Sequence, residues 1–184
     1  MSFLDPRERE RAKTQTLTAN FYDAALEASK TFRKGYAEQV NIVKAADMPF
    51  ERSRHGLIKH IINEQMNTKE YCLDIYMQFL PVGKASGKHR HLSEEVFYVV
   101  EGSGYDLHWD VRFDCKDVME FEWEAEPRKF EWKQGDFVYI PPYCAHQHFN
   151  ADPANEARII VVNSRIVKAM GFDWFEQIED AQGY

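Results

Sequence analysis

Four side chains in this sequence have the types and spacing to hold a cation. His89 and His91 stand two apart in Gly83-Lys-Ala-Ser-Gly-Lys-His89-Arg-His91, and strand alternation puts both imidazoles on one face. Glu95 follows at a further even step and joins them if the intervening turn keeps the direction. Two neutral imidazoles and a carboxylate meeting at a point suit a borderline transition metal. The fourth ligand must come from elsewhere. His146, in Pro141-Pro-Tyr-Cys-Ala-His146-Gln-His148-Phe-Asn150, is the donor at hand, carried by a strand expected on the opposite side of a barrel mouth.

Positioning such groups requires strands, and the sequence supplies many short ones. His55–Ile62 is β-branched and half apolar, and Tyr71–Leu80 alternates at period two. Further runs are Val96–Val100, Tyr105–Phe113, Glu120–Trp123, Lys129–Trp132, Phe137–Ile140, His146–Phe149 and Arg158–Asn163, punctuated by Gly83, Gly87, Gly102, Gly104, Gly135 and Pro141-Pro142. Short strands, glycine turns and no alternating helices predict an all-β sandwich or barrel. The acid-rich stretch from Asp106 to Asp136 reads as a solvated hairpin. Ile166–Met170, closed by Gly171, reads as a short helix.

Residues 1–50 read differently, as a helical arm before a barrel domain at 51–184. Asp5, Pro6 and Glu8 supply an N-cap, a first-turn proline and a carboxylate. Leu17, Phe21, Ala25, Ala28 and Phe32 then share one helical face. Gly35 is expected to interrupt the helix, and Met48-Pro49 to close the region. The arm is expected to cover an apolar face or to make a homodimer contact.

The 184 residues fit one domain, and 44% hydrophobic with 14% aromatic content is enough for a packed core. Thirty acidic against 23 basic residues, a net charge of −7, disfavours nucleic acid and anionic membrane surfaces as partners. No apolar run approaches the roughly 18 residues of a membrane span. The opening residues lack the apolar core of a signal peptide, which leads to a cytoplasmic expectation. Three cysteines without a CxxC pair argue against a disulfide framework.

Two composite spacings carry a family resemblance. Gly83, five residues, His89-x-His91, three residues, Glu95, six residues, Gly102 resembles the first conserved motif of the cupin superfamily. Gly135, five residues, Pro141, then His146, three residues, Asn150 resembles its second. Tyr143 stands where that pattern usually has glycine. The resemblance implies a jelly-roll barrel with one divalent metal in its mouth, held by His89, His91, Glu95 and His146. Four protein ligands on a six-coordinate ion leave two adjacent positions for a chelating substrate or dioxygen.

The segment 141–150 and Gly102-Ser-Gly-Tyr resemble the branch holding gentisate-type ring-cleaving dioxygenases. That implies an Fe(II) dioxygenase acting on a small aromatic or enol-type substrate. Mn, Ni, Zn or Cu suit the same donor set. The alternatives are a non-oxidative metal-dependent decarboxylase, isomerase or lyase, and a small-molecule-binding cupin without catalysis. His148, two beyond His146, and Tyr143 are the catalytic candidates, as base or hydroxyl-positioning groups. Tyr76, Phe97, Tyr139 and Tyr143 are candidates to line the cavity. Arg112, Arg158 and Arg165 are the candidate cations for an anionic substrate. Arg90 should point away from the metal, His108 should pack at the rim, Cys144 needs no role, and His55 and His60 are assigned none.

Overall fold

The structure is a computed structural model that describes residues 10, 19–68, 72–115, 119–172 and 174–182. Chain contacts divide it into two units, residues 1–39 and 40–184. In the first, helix α1 spans Phe21–Glu38. Gly35 lies inside this helix rather than ending it; a glycine costs a helix only about 1 kcal/mol against alanine. The proposed cap at Asp5 and the position of Leu17 lie outside the described residues.

The second unit begins eleven residues before the barrel boundary read from sequence, and Val40 at its start bridges Thr68 in parallel. A 3₁₀ turn at Ala45–Asp47 follows. Thirteen strands are described: β1 Phe50–Ser53, β2 Gly56–Ile62, β3 Leu73–Leu80, β4 Lys88–His91, β5 Glu95–Glu101, β6 Ser103–Trp109, β7 Val111–Cys115, β8 Met119–Trp123, β9 Arg128–Lys133, β10 Phe137–Ile140, β11 Ala145–Asn150, β12 Ala157–Ser164 and β13 Phe175–Glu179. Helix α2, Ile166–Ala169, lies between the last two. No described helix is long and apolar enough to cross a membrane.

Antiparallel pairing builds two main sheets, one ordered β1-β2-β3-β12-β5-β10 and the other β13-β4-β11-β6-β9. Strands β7 and β8 pair separately as a hairpin. Burial alternates along β5, β6, β11 and β12, as expected when each sheet turns one face inward. Leu80, Phe97, Val99, Ile140, Ile159 and Val161 form the apolar core. Trp132 of the second sheet meets the edge of Phe97 of the first, ring centroids 6.0 Å apart. The chain passes from β5 to β6 at Gly102, where φ is +88° and an added Cβ would collide with Ala157, so glycine is required there. This is the expected all-β jelly roll with a short C-terminal helix.

Three sequence readings change in detail. The single run Tyr105–Phe113 breaks at Asp110 into β6 and β7. The acid-rich stretch is a hairpin only at β7–β8; its first residue, Asp106, is fully buried in β6. The segment after α2 was not read as a strand, yet β13 pairs with β4 and sets Phe175 opposite His91 and Gln177 opposite His89.

Candidate metal centre

Strand β4 alternates in burial so that His89 and His91 face inward and Arg90 outward. The Arg90 guanidinium donates to Glu176 and lies 3.8 Å from the centre of the Trp123 ring, away from the metal ligands as expected. His146 arrives from the adjacent strand rather than from across the mouth: β11 pairs with β4 at His146 opposite His89. Directly opposed residues share a face and a close Cβ separation. The ligand that crosses the barrel is Glu95. The chain changes sheet over residues 92–94, and Glu95 opens β5 on the other wall, opposite Asn163.

Candidate ligand atoms of His89, His91, Glu95 and His146 all lie within 4.8 Å of one another, and all four residues are buried. His91 Nε2 is 3.2 Å from Glu95 Oε2, and His146 Nε2 is 3.6 Å from Glu95 Oε1. Backbone carbonyls fix the three rings. Nδ1–H of His91 donates to Ser93 at 2.8 Å, that of His146 to Cys144 at 3.0 Å, and that of His89 to Gly87 at 3.4 Å. Such anchoring selects the tautomer with an Nε2 lone pair turned inward, the form a metal requires.

His146 Nε2 and Glu95 Oε1 are buried without a hydrogen-bond partner. Orphaned buried polar atoms are costly, and a cation between them removes the cost. The electrostatics agree. Burial, and then the neighbouring His146, hold His89 well below its ordinary pKa. Burial takes His146 down to about 3, against the pull of Glu95. Burial would raise Glu95, but His146 and His91 outweigh it and keep it ionised. A set of three imidazoles and one ionised carboxylate fits a divalent transition ion.

His148 lies beside this cluster. It is fully buried, its Nδ1 is 2.9 Å from Asp106 Oδ2, and its Nε2 is 3.7 Å from Glu95 Oε1 with no hydrogen-bond partner. Its backbone N–H donates to Ser86 Oγ at 2.9 Å. Burial alone would lower its pKa, but Asp106 raises it above the ordinary value. Asp106 also accepts from Trp132 Nε1 at 2.8 Å and faces His108 Nε2 at 3.3 Å. The sequence reading missed Asp106 behind the acidic bias around it; inward parity with His108 on β6 was the available signal.

Tyr143 is outside the cavity wall. Its ring packs against Phe121, Trp123 and Trp174, and its backbone has φ +63°. Among the described residues it is the one non-glycine with positive φ, which explains why the motif usually has glycine there. Of the other aromatic candidates, Tyr76 lines the cavity, Phe97 is core, and exposed Tyr139 donates to Glu94 at 3.1 Å.

The cavity has a volume of about 670 Å³ and reaches His89 and His91. One wall is polar: His55, His60, Tyr76, Asn163 and Arg165. Phe172, Trp174, Phe175 and Val167 form an apolar wall. Of the three candidate arginines, Arg165 lines this cavity, paired to Asp74 at 3.1 Å; Arg52 and Arg54 line it as well. Arg112 pairs with Glu122 on the hairpin, and Arg158 with Glu101 and Glu156 at the surface. His55, just before β2, and His60, within it, have no role in the sequence reading, yet both line this space.

A two-motif jelly roll with three histidines and a glutamate gathered inside it defines a cupin. The profile of the auxin binding protein family matches residues 35–180, and the chain belongs to this family. An uncharacterized protein of Methanocaldococcus jannaschii is 36% identical over 69 residues, 37% of this chain and 42% of that protein. The fold is similar to vicilin from Solanum lycopersicum (tomato; TM-score 0.53, 15% identity, 71% of this chain and 33% of that one). It is also similar to an oxalate decarboxylase variant of Bacillus subtilis (TM-score 0.53, 15% identity, 76% of this chain and 34% of that one). A third similar structure is Fe(II) HppE with bound substrate (TM-score 0.52, 16% identity, 68% of this chain and 61% of that one). The chain thus spans less than half of the M. jannaschii protein and about a third of the first two structures.

Proposed function

We propose that this protein is an Fe(II)-dependent dioxygenase acting on a small aromatic or enol-type substrate chelated at His89, His91, Glu95 and His146. One observation carries the reading: three imidazoles, each anchored through Nδ1, converge with one carboxylate beside a cavity of about 670 Å³ that is large enough for a small ring. Bound iron would supply adjacent open positions and an electron path between the organic ligand and dioxygen.

The chain's own residues do the rest. Ser93, Cys144 and Gly87 carbonyls hold the rings so that little reorganisation accompanies ligand entry. Glu95 brings the negative charge that lets a cation sit in a buried site. Asp106 holds the Nδ1 proton of His148 and leaves its Nε2, which has no hydrogen-bond partner, facing the cluster; His148 serves there as a base or hydroxyl-positioning group. Phe175 and Trp174 offer flat apolar surface to a ring.

Metal analysis of untagged protein, followed by oxygen uptake over a panel of catechols, hydroxybenzoates and diketones, tests the proposal. Iron-dependent oxygen consumption is the expected result. Turnover under nitrogen with no oxygen uptake by the iron-loaded protein would point instead to a decarboxylase, isomerase or lyase. The family's description as auxin binding protein favours a second reading, capture of a small aromatic ligand without catalysis. Tight binding with no turnover of any probe is its signature.

A further inference from the structure

We infer that the ligand of this site carries a hydroxyl group beyond the atoms that chelate the metal, and that His55 and Tyr76 read it. This rests on the proposal that the four-residue cluster holds a metal to which a small ligand chelates. His55 precedes β2 and Tyr76 lies on β3, outside both cupin motifs, and both line the cavity. The His55 ring stands edge-on to the His89 ring with centroids 4.3 Å apart. The pair is therefore within one small ligand's length of the metal ligands.

Tyr76 Oη and His55 Nε2 are 3.5 Å apart, at the limit of a hydrogen bond and weak if direct. Their backbone supports are firm. The His55 carbonyl accepts from Gln78 Nε2 at 2.9 Å and from the Gly87 N–H at 3.2 Å. The Tyr76 strand pairs with β2 at His60 and with β12 at Val161. The two polar atoms are thus held still, side by side, without satisfying each other well.

A phenolic O–H donates, and a neutral imidazole nitrogen accepts in one tautomer and donates in the other. A single ligand hydroxyl beside the pair meets both groups in either tautomer: it accepts from Tyr76 and either donates to His55 or accepts from it. Sites with fixed buried polar groups discriminate strongly against analogues that lack the matching group, because the protein atoms are left unpaired. Asn163 Oδ1, buried without a partner, lines the same cavity.

The test uses the full chain loaded with cobalt(II) under nitrogen, titrated calorimetrically with catechol, pyrogallol and 1,2,4-trihydroxybenzene. In the wild-type protein at least one trihydroxybenzene is expected to bind about tenfold or more tighter than catechol. Tyr76→Phe and His55→Phe should keep cobalt stoichiometry while the ratio of trihydroxybenzene to catechol affinity falls to near unity. If all three probes bind alike with cobalt in place, or if the preference survives both substitutions, the inference is overturned and the metal site stands. If the protein takes up no stoichiometric cobalt, the metal reading itself falls and this inference with it.

Discussion

The backbone N–H of Tyr143 donates to the carbonyl oxygen of His91 at 2.8 Å. This bond ties the loop before β11 to the end of β4, and so joins the two ligand-bearing segments outside the ligands themselves. Tyr143 makes it from a left-handed conformation. Its aromatic neighbours hold it there, with Arg90 adding a cation 5.4 Å from the ring centre.

That arrangement predicts an unusual ranking. Tyr143→Ala loses the aromatic packing and keeps the strain, whereas Tyr143→Gly loses the packing but relaxes the backbone. The glycine variant should be more stable than the alanine variant by about 1 kcal/mol, and both less stable than wild type. Urea denaturation of the three proteins checks the order.

His91→Ala should abolish stoichiometric metal binding and leave the barrel folded. The strand keeps its pairings to β11 and β13 through backbone groups. Metal content and far-UV circular dichroism, measured together, check both halves. A variant that keeps full metal content would remove Glu95 and His146 as its partners.

His89 and His91 were legible from parity along β4, which depends only on strand geometry; Glu95 and His146 were legible through the motif spacings that resemble the cupin pattern. Which sheet each occupies was not legible, and that is why His146 proved a neighbour of His89 and Glu95 the residue from the far wall. Asp106 was hidden for a related reason. Its burial follows from the pairing of β6 with β11 at His148 and with β9 at Phe130, a long-range fact that its acidic surroundings contradict. Strand β13 escaped because Phe175–Glu179 has one aromatic and two carboxylates in five residues, a pattern that becomes a strand only when β4 offers it an edge.

Asp106→Asn should leave His148 without the charge that offsets its burial. The His148 pKa, raised in the wild type, should then fall below its ordinary value. Stability should drop by about 2–4 kcal/mol, since an amide cannot accept from Trp132, His148 and His108 as a carboxylate does. Proton-coupled nuclear magnetic resonance of the imidazoles in metal-free protein, with a thermal melt, measures both.

Acid should destabilise the metal-free protein over a definite window. Burial takes both His55 and His146 down to about 3, below the value near 6.5 they have when unfolded. Between those values the unfolded chain binds more protons, so stability is complete above pH 6.5 and declines as pH falls towards 3. Burial and then the Asp106 interaction act in opposite senses on His148, whose net upward shift offsets part of the decline. Urea midpoints at pH 6.5, 5 and 4 in the presence of a chelator should fall in that order.

The pairing of β4 has a consequence for how the protein acquires its ion. The strand is four residues long, and both edges are closed by β11 and β13, which leave the ribosome well after it. At about 5–20 residues per second, the nascent His89–His91 pair waits several seconds with neither neighbour made. Through that interval it is an open two-imidazole chelator that favours copper over iron. The complete four-residue set, and any selectivity it has among divalent ions, therefore belongs to the finished barrel.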